Sequence, residues 1–152
     1  MAMALPGKSA WAALQASTGN GSAEFHALSQ FLTAKSLDAT LTDRALSALT
    51  KVDAVFATQA SQLADFIRQG GFNDIEALKT AASFNETYRS TALKIIASLY
   101  MGFAGTPRPG HAEDDTQFVT YTQALMYRLT YDYVPIPSYS RWSTGYWTSV
   151  PQ

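Results

Sequence analysis

The chain has 152 residues, 47% of them hydrophobic, and a formal net charge of −1 from 11 basic and 12 acidic side chains. That length can bury one continuous core but is short for two ordinary domains, and the scattered basic residues form no stripe that would argue for nucleic-acid binding. Cysteine is absent, which excludes disulfides, thiol nucleophiles and thiolate metal sites; no run reaches the ~20 apolar residues of a membrane span.

Charged residues make up only 15% of the chain while aromatics reach 12%, against about 25% charge in a typical soluble domain. So sparsely charged a surface points to a permanent partner. Met1 to Leu14 has Lys8 as its only basic residue, with no arginine pair and no clear apolar leader segment. Either the chain is cytoplasmic or a leader lies outside this sequence. Ser17 to Ser22 is turn chemistry, so residues 1–22 read as a flexible arm, with a short helix around Trp11 to Leu14 as the alternative.

From residue 23 the helical period takes over. Phe25, Leu28, Phe31 and Leu32 share one face, and Leu37-Asp38 introduces a second helix striped by Leu41, Ala45, Leu49 and Val52, which suggests an antiparallel hairpin. Asp53 to Arg68 continues the period through Val55, Phe56, Leu63 and Ile67. It ends at Gly70-Gly71, where a left-handed cap suits glycine.

Asn73 can cap a short helix with Glu76 at its third position and Ile75, Leu78 and Ala82 facing inward. The next helix, Glu86 to Met101, has a broad apolar face of Tyr88, Ala92, Ile95, Ile96 and Leu99 and belongs at the centre of the bundle. Gly102 and Gly105 end it, and Thr106 to Gly110 cannot be helical. Glu113-Asp114-Asp115 then suits the N-terminus of a last helix reaching Arg128, with Phe118, Tyr121, Leu125 and Met126 buried. The expected fold is all-α: a single bundle of five to six helices over residues 23–130, with no convincing strand.

Residues 131–152 differ in kind, holding three prolines, four tyrosines and two tryptophans with little charge. Pro135 and Pro137 force extended backbone, and so many rings are foreign to ordinary disorder. The tail must lie against its own bundle or against another chain, where tyrosine and tryptophan give large contact area at low entropic cost.

Catalysis has no visible owner. His26 and His111 are far apart in sequence and lack ligand partners at helical spacing; His26 reads as a half-buried packing residue and His111 as a solvated loop residue. Asp38 with Asp43, and Asp114 with Asp115, are better explained as helix N-terminal charge than as acid–base pairs. Gly19-Asn20-Gly21 lacks the strand that would make it a phosphate cradle. Asn20-Gly21-Ser22 and Asn85-Glu86-Thr87 match glycan acceptor triplets only in the minimal sense.

The run from Phe118 to Arg128, with Asp132, Pro135, Pro137-Ser138-Tyr139, Gly145-Tyr146-Trp147 and Pro151, resembles the C-terminal signature of the small subunit of membrane-bound, flavin-containing sorbitol and fructose dehydrogenases. It is also similar to the small subunit of bacterial flavin-dependent glucose dehydrogenase. Phe25 to Ser29, Leu32-Thr33, Leu37-Asp38 and Ile95 to Gly102 resemble the same family's helical segments.

The resemblance implies a non-catalytic subunit without a cofactor of its own. Its partner would be a large subunit carrying FAD and an iron–sulfur cluster, with a multihaem cytochrome c subunit passing electrons to the membrane quinone pool. The small subunit would assist folding and twin-arginine export of the large one to the periplasm, although the twin-arginine leader is absent from this sequence. Some relatives have a cysteine where this chain has Ser140, so any linkage here is non-covalent. On this reading Tyr131, Tyr133, Pro135, Pro137, Tyr139, Trp142, Tyr146 and Trp147 form the partner interface. The alternatives are a helical chaperone or scaffold with other clients, or a small ligand-binding bundle.

Overall fold

The computed structural model describes residues 12–16, 21–108 and 113–130. Within them the chain is an all-α bundle with one minimal β ribbon. The helices are residues 12–16 (α1), Gly21–Thr33 (α2), Ala39–Val52 (α3), Phe56–Gly70 (α4), Ile75–Thr80 (α5), Glu86–Met101 (α6) and Leu125–Arg128 (α7). β1 (Phe103–Ala104) and β2 (Gln117–Phe118) pair antiparallel, Phe103 opposite Phe118 and Ala104 opposite Gln117.

Local chemistry sets most helix ends. Asp38 caps α3, its carboxylate accepting from the Thr40 amide at 2.7 Å, and the Asn85 side chain caps α6 through the Tyr88 amide at 3.1 Å. Gly71 and Gly102 close α4 and α6 at φ 65° and 81°, left-handed values that glycine adopts without a Cβ penalty. α2 already starts at Gly21, inside the stretch with turn chemistry, and ends before Ala34, a non-glycine residue at φ 52°.

The core follows the apolar stripes. Phe25, Leu28, Phe31 and Leu32 of α2, Leu41, Ala45 and Leu49 of α3, and Phe56, Leu63 and Ile67 of α4 are buried together. Phe25 meets Phe56 edge to face, with centroids 6.1 Å apart. α6 sits centrally, as its broad apolar face requires, packing against α2, α3, α4, α7 and β1. α1 joins this core through Leu14, which is fully buried.

Four expectations are corrected. Ser22 bonds Asp43 and His26 bonds Thr42, so the first half of α2 meets the first turns of α3; the two helices cross, whereas an antiparallel hairpin would pair the start of α2 with the end of α3. The helical period does not run through Asp53: that residue is the C-cap of α3, its amide bonding the Leu49 carbonyl, and the turn after it leaves Val55 57% exposed. α5 is capped by Asp74, not Asn73, with the carboxylate accepting from the Ala77 amide at 2.8 Å. That one-residue shift moves Glu76 to pair with Lys79 and leaves Ala82 exposed.

The fourth correction is the largest. No helix spans residues 113–124; α7 is a single turn, and of the four residues expected inside only Leu125 is buried. Asp114 accepts from the amides of Thr116 and Arg108, and Asp115 from that of Thr106, so these acids staple a loop instead of opening a helix. The following Phe118-Val119-Thr120-Tyr121 is rich in β-branched and aromatic residues that favour extended backbone.

Candidate partner interface

The segment after β2 is held by one carbonyl. Gly102 O accepts from the amides of Val119 at 2.9 Å and Thr120 at 3.0 Å, and a Cβ on Gly102 would stand 2.1 Å from the Thr120 carbonyl oxygen. Only glycine allows that approach. Arg44 of α3 donates to Gln123, tying the next turn down from the other side. Extended backbone points successive side chains to opposite faces, and Val119 is accordingly buried while Phe118 points out.

The outward residues make an apolar edge. Phe118 and Tyr121 are 59% and 58% exposed with ring centroids 4.7 Å apart, and Met126 and Leu129, one helical turn apart, are 58% and 78% exposed. Large apolar side chains exposed in succession mark a contact surface more often than a free one. Arg128 is the only charged residue between Gln117 and Thr130. In the sequence these residues are followed directly by residue 131, where the ring-rich tail begins. Tyr131, Tyr133, Pro135, Pro137, Tyr139, Trp142, Tyr146 and Trp147 lie outside the described residues, as does His111.

A second feature, a polar one, escaped the sequence reading. Glu24 of α2 and Arg68 of α4 pair at 2.6 Å with side chains only 8% and 10% exposed. Ser61 donates to the other Glu24 oxygen at 2.9 Å, and Arg68 also bonds Asp65 and reaches the Leu14 carbonyl at 3.4 Å. Burial works against the Arg68 charge, but hydrogen bonds to Asp65 and Glu24 outweigh it and raise its pKa above the usual value. The cluster joins α1, α2 and α4 and is structural in form, with every atom named engaged. Its signal was present: Glu24 lies four residues before Leu28 and seven before Phe31, on the buried stripe of α2.

The other titratable candidates are likewise occupied. The Thr42 hydroxyl donates to the Ala39 carbonyl and is 3.0 Å from His26 Nδ1, while Gln30 Nε2 is 2.8 Å from His26 Nε2. An imidazole with its hydrogen on Nδ1 satisfies all three groups, and the half-buried ring braces α2 against α3. Hydrogen bonds from the hydroxyl and amide of Thr40 hold the Asp38 carboxyl below its usual range, and the Thr116 amide does the same for Asp114. Lys94 bonds Asp53 at 2.9 Å and lowers its pKa. Among the described residues no group of three or more His, Asp or Glu side chains could hold a metal ion.

A family model described as "Membrane bound FAD containing D-sorbitol dehydrogenase" matches residues 1–151. The chain belongs to that family. No curated protein matches it. The sorbitol dehydrogenase family places the chain with a membrane-bound, FAD-dependent dehydrogenase complex, and among the described residues no helix is long and apolar enough to cross a membrane.

Among the described residues, four of the helix N-termini are poorly suited to FAD. A dinucleotide needs an extended pocket and backbone amides free to meet its pyrophosphate. Here α3 and α5 open on Asp38 and Asp74, and Glu24 and Glu86 occupy the first turns of α2 and α6, so these helix N-termini already face carboxylates. The hollow of about 230 Å³ between Phe25, Leu28, Leu46 and Ala60 has Glu24 and Ser61 in its lining, both already bonded to each other, and Glu24 to Arg68. Among the described residues no strand, glycine turn and helix follow one another in the order that cradles phosphates.

Proposed function

We propose that this member of the sorbitol dehydrogenase family is a non-catalytic small subunit. It clasps the FAD-carrying large subunit of a periplasmic sugar or polyol dehydrogenase, of the sorbitol or fructose type, stabilises that subunit while it folds, and accompanies it in export. FAD and an iron–sulfur cluster reside in the large subunit and haem c in a cytochrome subunit; the chain touches the membrane only through this complex.

The observation that carries the reading is an exposed apolar edge, Phe118, Tyr121, Met126 and Leu129, that runs into a nearly uncharged tail of tyrosine, tryptophan and proline in a chain of this family. Aromatic anchors on restricted backbone bind at low entropic cost, which suits a permanent clasp better than a catalytic cleft.

Co-expression with the large subunit, purification through a tag on this chain and a visible absorbance spectrum test it. The expected result is a yellow complex, and a large subunit that is insoluble or flavin-poor when made alone. Oxidation of sorbitol by the isolated chain with a dye acceptor, or a large subunit equally soluble and active without it, overturns the proposal.

A further inference from the structure

The exposed edge sits on backbone that cannot hold its own shape. β2 is two residues long and α7 four, and neither so short a ribbon nor a single helical turn is stable in water unless tertiary contacts fix it. What fixes residues 117–124 therefore decides whether Phe118 and Tyr121 are presented together.

The contacts come from two directions. From the end of α6, the Gly102 carbonyl accepts from the amides of Val119 and Thr120. Thr120 is only 4% exposed, and its hydroxyl accepts from the Gln123 amide at 3.3 Å while the Tyr121 carbonyl accepts from the Ala124 amide at 3.4 Å. A tight turn results, with Tyr121 on its outer side. From α3, Arg44 donates to the side-chain oxygen of Gln123, 79 residues further along the chain.

Arg44 is built for that reach. Its Nε donates to the Thr40 carbonyl, one turn back on α3, at 3.3 Å, and Nη2 makes the bond to Gln123. A planar group with several donors makes both bonds at once, which the single nitrogen at the end of a lysine stem does not match. Arg44 is exposed, and surface side chains of this kind change global stability little. Its effect is local, on how the turn sits.

We infer that Arg44 is a positioning residue for partner binding: through Gln123 it holds the turn that presents Phe118 and Tyr121 as a preformed edge to the large subunit. The inference rests on the subunit reading above and adds to it a residue on α3, outside both the edge and the tail. An edge already in place spares the complex the cost of ordering it on binding.

The test uses the full chain and the co-expressed large subunit, with four variants: Arg44→Ala, Gln123→Ala, the two together, and Gln123→Glu, which keeps an acceptor for Arg44. Each single alanine variant is expected to weaken retention about threefold to tenfold, with a thermal melt close to native. Hydrogen exchange at the Gln123 and Ala124 amides should accelerate while exchange in α2 stays as it was. Because the two side chains act through one bond, the double variant should lose no more than either single one. Gln123→Glu should retain the large subunit within about twofold of native.

Losses that multiply in the double variant would mean that Arg44 touches the large subunit itself, and unchanged exchange at the two amides would mean that the turn stands without it. Either result overturns the positioning role. Retention within about twofold of native in both single variants also overturns it and leaves the subunit reading intact. A native chain that fails to retain the large subunit overturns that reading and this inference with it.

Discussion

Glu24 and Arg68 form an ion pair 2.6 Å long between side chains that are 8% and 10% exposed. Taking two charges out of water is costly, so the pair does more to define how α1, α2 and α4 meet than to add net stability. Removing one partner leaves the other charge stranded. Glu24→Ala is expected to cost about 3–5 kcal/mol in urea unfolding, and the double variant Glu24→Leu/Arg68→Leu much less than twice that. A loss below about 1 kcal/mol for Glu24→Ala would show that water already screens the pair.

Gly102 is the second pivot, because its carbonyl holds Val119 and Thr120 and its missing Cβ makes room for them. Gly102→Ala combines left-handed backbone with a clash against the Thr120 carbonyl, an expected cost of about 2–5 kcal/mol. Hydrogen exchange at the Val119 and Thr120 amides should accelerate more than exchange in α2 or α3. Uniform acceleration would mean that the ribbon has no local stability of its own.

Where one rule dominates a segment, the sequence is enough to place it. The caps at Asp38, Gly71 and Gly102 and the buried stripe of α6 each depend on a single residue type or period, and each was legible. Segments where two rules compete were not: Asn73 and Asp74 can both cap, and the run Phe118 to Tyr121 has the spacing of a helix face but the composition of a strand. The acids before it decide the matter only through loop amides nine or fewer residues away, a tertiary choice invisible to periodicity. The exposed rings of Phe118 and Tyr121 were therefore not read as an interface, being expected inside a helix, while the interface expected within residues 131–152 lies outside the described residues. Glu24 was missed because an acid on a buried stripe reads as a flaw in the pattern until Arg68 is brought across from α4.

Ala34 follows the last residue of α2 with φ at 52°, a position that glycine fills at lower cost. The side chain is exposed, so nothing is lost by removing it. Ala34→Gly is expected to raise stability by up to about 1 kcal/mol, less the greater freedom glycine adds to the unfolded chain. A lower melting temperature would mean that Ala34 does not keep this conformation in solution.

The carboxyl groups of Asp38, Asp53 and Asp114 all titrate below the usual 3.8. A lowered folded-state pKa gives stability that is present above the unfolded value and lost as pH falls through the folded one. The loss should therefore begin near pH 4 and deepen below it, with no contribution from these groups to any change near neutrality. Asp53→Asn removes the Lys94 contact, whose Asp53 side chain is 26% exposed. Its melting curve should be slightly less stable at pH 7 and fall less steeply below pH 4 than the native chain's. Parallel acid limbs would show that Asp53 titrates alike in the folded and unfolded chain.

Phe118 and Leu129 are 59% and 78% exposed, so replacing them should hardly disturb the bundle, whereas a clasp that uses them should suffer. Phe118→Ser with Leu129→Ser is expected to leave the thermal melt within the roughly 0.5 kcal/mol common to surface changes. Retention of the large subunit should fall at least about tenfold, the size of loss that follows truncation of buried aromatic and aliphatic anchors at an interface centre. The contrast between the two measurements matters, since an apolar edge covered by the chain's own tail would give the opposite result: lower stability of the isolated chain with unchanged retention. Deleting residues 131–152 from the same variant separates the contributions further. If edge and tail grip one partner side by side, the edge substitutions still weaken what binding the shortened chain keeps; if the tail acts alone, they change nothing.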